Sequence, residues 1–136
     1  MHTKDKGDVA EQFVMAHCLK RGWIVSKTIG DNKRYDFILD KGDNALYKVQ
    51  VKSGRLNDGV IIIDTKSSGY KINKGEYVSY NKKYSLEDVD YIASYCPDTN
   101  QSYIIKNEGI YQINLRVDNS KNNQIKGIRF AKDYLI

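Results

Sequence analysis

The sequence predicts an α/β or α+β fold, a mixed β-sheet flanked by helices, and three observations carry that expectation. Residues 5–21 place apolar side chains at helical spacing. From residue 23 onward the apolar segments are short and strand-like, bounded by polar turns. Two of them, Tyr35–Asp40 and Tyr47–Lys52, can be paired residue by residue into a hairpin. A chain of 136 residues with 40% hydrophobic side chains suffices for one core, so one domain over 1–136 is expected.

The first helix is expected over residues 5–21. Asp5 or Asp8 would cap it, Val9, Phe13, Ala16 and Leu19 would form its apolar stripe, and Gly22 would stop it after Lys20 and Arg21. Trp23–Ile29 follows as a strand, then the polar, basic turn Gly30–Arg34, then a hairpin over 35–53 that turns about Asp43. Val60–Ile63 is a short apolar run suited to a central strand. Residues 65–84 differ: five lysines against one glutamate, four tyrosines and little apolar periodicity predict loops, a short helix or strand, and a surface role. Val89–Cys96 resumes strand character, Pro97–Asn100 turns, and Ser102–Ile105 pairs back. Ile110–Val117 suits a strand or a short helix. Asp118–Asn123 reads as a polar loop, and Ile128–Phe130 as a last strand-like piece.

Composition excludes several classes. No run approaches the roughly 20 apolar residues of a membrane span, and the charged Met1–Gly7 leads straight into a helix. No membrane partner and no secretory leader are expected, and the protein is placed in the cytoplasm. Cys18 and Cys96 have no metal-ligand spacing and are expected to be reduced and packed. His2 and His17 lack a second ligand at zinc spacing. There is no glycine-rich phosphate loop. A net charge of +5, of which residues 65–84 alone supply +4, suits a polyanionic partner.

The hairpin carries the chemistry. Pairing about Asp43 sets Tyr35 opposite Val51, Phe37 opposite Val49 and Leu39 opposite Tyr47, and these six side chains make one apolar face. The other face then carries Asp36 opposite Gln50, with Lys52 two positions on. A carboxylate, an amide oxygen and an ammonium meet at one end of the hairpin, a layout suited to a divalent cation held against a phosphate. Glu11, on the flank of the helix stripe, is placed to lean over the sheet edge and join them. Ser53, Gly54 and Arg55 continue the strand past Lys52. Lys33 and Arg34 flank Asp36 from the other side, and the lysine-rich segment with Lys66, Ser67, Ser68, Lys71, Lys74, Lys82 and Lys83 follows. Contacts from such groups to phosphates supply affinity rather than sequence information.

At these residues the chain resembles the PD-(D/E)XK nuclease superfamily, in which an Asp on one strand and a (D/E)-X-K on the next form a metal site completed by a helix acid. The matching positions are Asp36, Gln50-Val51-Lys52 and Glu11. Within the superfamily it is most similar to small group I intron homing endonucleases of that type; archaeal Holliday junction resolvases are a more distant likeness. Gly7-Asp8-Val9-Ala10-Glu11, Gly22-Trp23, Val89-Asp90-Tyr91-Ile92-Ala93, Tyr95-Cys96-Pro97, Tyr103-Ile104-Ile105, Ile128-Arg129-Phe130-Ala131 and Asp133-Tyr134 also occur in the family's order. Tyr35 replaces the usual proline, and Gln50 replaces an acid. The resemblance implies a restriction-endonuclease-like core. It implies a site-specific endonuclease of intron-homing type that hydrolyses double-stranded DNA with Mg²⁺, or Mn²⁺ in its place. Its catalytic group would be Glu11, Asp36, Gln50 and Lys52, with Asp36, Gln50 and Glu11 as metal ligands. A structure-selective junction nuclease and a catalytically silent DNA-binding module of the same fold are the alternatives, the latter favoured by Gln50. Cutting both strands with one site per chain implies a homo-oligomer, at least a dimer, with a tetramer also open.

Overall fold

The computed structural model describes residues 1–30, 34–82, 85–118 and 122–136, with the backbone alone for residues 67–71 and 79–82. Helix α1 spans Thr3–Lys20. Its cap is His2, whose Nδ1 accepts the Lys4 amide at 3.3 Å, so Asp5 and Asp8 fall inside the helix rather than at its cap. Asp5 instead lies in the first turn, where a carboxylate opposes the positive end of the helix dipole.

The buried line of α1 is Ala10, Val14 and Cys18. The expected stripe of Val9, Phe13, Ala16 and Leu19 is turned one position away from it; Phe13 is 40% exposed and Leu19 59%. The side chains decide this. Small Ala10 and Cys18 let the helix approach the sheet closely, while the Phe13 ring stacks on Tyr95 with centroids 4.2 Å apart. Glu11 precedes Cys18 by seven residues, which offsets it by about 20° from the buried line and sends it toward the sheet.

Strands β1 (Ile24–Lys27), β2 (Phe37–Asp40), β3 (Leu46–Asn57), β4 (Val60–Asp64), β5 (Ser67–Asn73), β6 (Glu76–Lys82), β7 (Tyr91–Cys96), β8 (Gln101–Lys106) and β9 (Gln112–Arg116) follow in order. Seven form one mixed sheet in the order β1-β2-β3-β4-β9, with β7 parallel to β3 and β8 antiparallel to β7. The long β3 serves three neighbours in turn: β2 along 46–49, β7 along 49–53 and β4 along 54–57. Gly54 marks the change of neighbour. A Cβ there would lie 2.8 Å from Ser94 Oγ and 3.1 Å from Ile61 Cγ2. The turn after β3 uses Asp58 and Gly59, both at positive φ, the backbone of a two-residue hairpin loop.

The hairpin register is the expected one: Phe37 pairs with Val49 and Leu39 with Tyr47. Phe37, Leu39, Val49, Val51 and Ala93 face α1 and make one core with Ala10, Val14 and Cys18. Tyr35 departs from that face. The ladder ends at Phe37, the chain bends at Asp36, and Tyr35 packs against the second core of Ile61, Ile63, Ile92, Ile105, Ile113 and Leu115. Ile110–Val117 contributes β9, because Ile113 and Leu115 are buried while Gln112 and Asn114 between them are exposed. Of Ile128–Phe130, only Phe130 bridges to the sheet, at Arg116, before a 3₁₀ turn over Ala131–Tyr134.

Of the segment 65–84, the described residues 65–82 are more regular than expected. β5 and β6 form a separate two-stranded sheet joined through Lys74 and Gly75, both at positive φ. Both cysteines are free and buried, and burial pushes the Cys18 thiol up to about 11. Among the described residues, no helix is long and apolar enough to cross a membrane.

Candidate active site

The bend at Asp36 builds the site. Where β2 parts from β3, the Asp36 amide donates to the Val49 carbonyl at 2.8 Å, and its carboxylate Oδ2 accepts the Val51 amide at 2.8 Å. One oxygen thus seals the end of the ladder, and Asp36 also lines a pocket of about 270 Å³. Glu11 enters the same pocket from α1, together with Asp8, Lys27, Thr28, Gly30 and Tyr35. Thr28 Oγ1 donates to the Asp36 carbonyl at 3.4 Å, which ties the loop after β1 to the bend.

Electrostatics couple these groups. Burial is the main cause that raises the Asp36 pKa above its usual 3.8, and the Glu11 carboxylate adds to it; the Val51 amide, Lys52 and Lys27 pull the other way. Glu11 itself is only 18% exposed and holds Lys27 Nζ at 3.2 Å. Three carboxylates, Asp8, Glu11 and Asp36, therefore line one pocket with Lys27, which is itself 56% exposed. With its lysine end more than half exposed, the Glu11–Lys27 pair is open to screening by solvent and salt.

The residues singled out from sequence divide into two groups. Asp36 and Glu11 meet in the pocket, and Lys52 is near enough to act on the Asp36 charge. Lys52 Nζ also reaches the Lys66 carbonyl at 3.5 Å, which ties the site to the base of β5. Gln50 is half-buried beside Ile92 of β7 and is not in the pocket lining. Arg34 turns its Nε to Asp88 Oδ2 at 3.5 Å. Ser53 and Arg55 are exposed on β3, and Lys66 and Lys74 are exposed at the base and tip of the β5–β6 hairpin. The side chains of Ser67, Ser68, Lys71 and Lys82 lie outside the described residues, as do Lys33 and Lys83 entirely. Lys27 and the pocket-lining Asp8 are residues that sequence reading did not assign to the site. No local pattern marks Lys27: it ends β1, and its place follows from the pairing with Phe37, the neighbour of Asp36.

His2 and His17 each make a hydrogen bond within the fold. The first caps α1, and the second places Nδ1 2.6 Å from buried Ser102 Oγ. Among the described residues, no three His, Cys, Asp or Glu side chains cluster as a metal cage.

The family profile described as PD-(D/E)XK endonuclease matches residues 1–136. The chain belongs to that family. As a PD-(D/E)XK endonuclease by descent, it takes nuclease function as its general class. A solved structure similar to it is that of a bacterial homing endonuclease, I-Ssp6803I, at 26% identity and a TM-score of 0.73. The match covers 99% of this chain and 89% of that one. The α+β, restriction-endonuclease-like architecture expected from the hairpin and leading helix is thus shared along nearly the whole length of this PD-(D/E)XK endonuclease. Among curated proteins, none matches.

Proposed function

We propose that the protein is a metal-dependent, site-specific endonuclease that hydrolyses phosphodiesters of double-stranded DNA, of the intron-homing kind. The observation that carries the reading is the meeting of the Asp36 and Glu11 carboxylates in one pocket, with the Lys52 charge acting on Asp36. The similarity to a bacterial homing endonuclease supports the substrate class.

The donor set fits a hard divalent cation. Mg²⁺ binds through one or two carboxylates and keeps waters and phosphate oxygens for the rest of its shell, so a third protein acid is not required. Asp36 and Glu11 would hold it, with the neutral Gln50 carbonyl of β3 as the third proposed ligand. A bound Mg²⁺ supplies charge neutralisation on the phosphate and acidifies water.

The chain's own residues set the stage for it. The Val51 amide fixes the Asp36 carboxylate, so that group costs little reorganisation on binding. Glu11 brings the second negative charge from α1. Lys52 places an ammonium beside the reacting phosphate, where negative charge grows and where an attacking water is to be oriented. Lys27 balances Glu11 before substrate arrives. Arg55, Ser53 and the lysines of 66–83 supply phosphate contacts, with Arg34 at the rim.

The test is incubation with a random duplex library and Mg²⁺, followed by sequencing of the cut ends. Wild-type protein is expected to cut at a preferred sequence. Asp36→Asn and Lys52→Ala are each expected to lower the rate by at least about a hundredfold, the scale of losing one preorganised electrostatic group. Normal cutting by both variants would refute the site assignment. Gln50 favours a second reading, a silent DNA-binding module; duplex binding that survives a chelator, with no cut under any metal, selects it.

A further inference from the structure

The β5–β6 hairpin stands apart from the seven-stranded sheet as its own two-stranded ribbon. An isolated two-stranded hairpin is marginal in water, so an element of this kind is expected to gain stability from a partner. Its tip is apolar and uncovered: Ile72 and Tyr77 are register partners, hence on one face, and are 67% and 80% exposed. Lys74 forms the turn between them, and the segment 65–84 carries five lysines against one glutamate. That charge excess argues for a polyanion as the partner rather than a second, equally basic copy. Position argues the same way, since the Lys52 ammonium of the candidate site touches the Lys66 carbonyl at the base of β5. The ribbon therefore starts beside the candidate site.

We propose that β5–β6 lies in the major groove of the DNA next to the cut, with the Ile72–Tyr77 pair against base edges and Lys66 and Lys74 on flanking phosphates. The dimensions suit it. Seven strand residues reach about 24 Å at roughly 3.4 Å each, and a two-stranded ribbon fits the major groove of about 12 Å. Apolar side chains there read the thymine methyl group. This inference rests on the nuclease reading for its substrate, and it adds the groove, the element and the residues that read sequence.

The experiment is dimethyl sulfate footprinting of the full chain on a duplex enriched from a random library, using Lys52→Ala to hold the DNA intact. Guanine N7 faces the major groove and adenine N3 the minor. A block of N7 protection over about 5–7 consecutive base pairs is expected, displaced to one side of the wild-type cut. In Ile72→Ser/Tyr77→Ser the block is expected to disappear, with the preference for the enriched over the random duplex falling about tenfold or more. An unchanged thermal midpoint and circular dichroism spectrum would show that this variant is folded, and Tyr77→Phe, which keeps the ring, is expected to retain the block. Protection at adenine N3 instead, or an N7 block that survives the double substitution, overturns the proposal. So does a change of oligomeric state in the double variant, measured by sedimentation, with DNA preference intact; the tip would then serve a second copy. Cutting by wild type without the N7 block leaves the nuclease reading standing and removes the ribbon. The block without cutting does the reverse.

Discussion

Asp36, proposed as a metal ligand, sits where its ionised form costs the fold stability. Its carboxylate is half-buried and faces Glu11, and both conditions favour the protonated form. A raised folded-state pKa means that the native chain holds this proton more tightly than the unfolded chain does. The associated stability is present below the ordinary value of 3.8 and is lost as pH rises through the raised value. Ionised Asp36 should therefore destabilise the metal-free protein at neutral pH. Asp36→Asn keeps an oxygen to accept the Val51 amide and removes the charge. Its thermal midpoint in chelator is expected to exceed that of wild type at pH 7 and to converge with it below pH 3.8. Adding Mg²⁺ is expected to raise the wild-type midpoint and leave the variant's unmoved, since only a cation bound to the native state shifts that balance. A variant less stable than wild type at pH 7 would contradict this account. The nearness of Asp36 to Lys52 was legible in sequence because hairpin register follows from local pattern, whereas Glu11 reaches the same pocket from a helix whose buried line lies one position off the expected stripe. Lys27 was not legible, because its place depends on the pairing of β1 with Phe37, a contact between segments that no local pattern specifies.

At the scale of elements, β3 holds the two halves of the sheet together, and Gly54 is the point where it does so. β7 and β4 crowd the strand there, and a methyl group would meet Ser94 Oγ at 2.8 Å and Ile61 Cγ2 at 3.1 Å. Ser94 Oγ is buried and finds no hydrogen-bond partner among the described residues. Overpacking of this kind costs about 1–3 kcal/mol, so Gly54→Ala is expected to lower the denaturation midpoint clearly. Ser94→Ala removes the nearer obstacle and an unsatisfied hydroxyl, a change that is nearly neutral or stabilising. The double variant is expected to regain part of the loss; an unaltered loss would place the strain at Ile61 instead. The sequence made this hairpin plain but misread the helix facing it. Phe13 and Leu19 outweighed Ala10 and Cys18 as apolar signals, although close packing favours the small pair. The β5–β6 ribbon hid for a different reason. Its described side chains, residues 72–78, are all exposed, and an exposed ribbon end has no reason to alternate apolar with polar residues, so no period of two marks it.

Among the described residues, Asp36 and Glu11 meet in one pocket per chain, and the duplex proposed as substrate has two backbones of opposite polarity. A single copy engaged on one backbone cannot reach the other without releasing and turning over. Two copies related by a two-fold axis match the local dyad of the duplex and bring a pocket to each strand. The solution mass is therefore expected to be twice 15.6 kDa or a larger even multiple. Supercoiled plasmid carrying the preferred site should pass directly to the linear form when the chain is concentrated enough to be fully assembled. At dilutions where sedimentation shows monomer, the nicked circle should accumulate first, because the second cut then waits for a second encounter. Mixing wild type with excess Lys52→Ala discriminates further. Mixed assemblies carry one working pocket, so they should yield nicked circles at concentrations where wild type alone yields linear DNA. Linear product from chains that sediment as monomers, with no nicked intermediate, would show that one pocket serves both strands and that the assembly has another purpose.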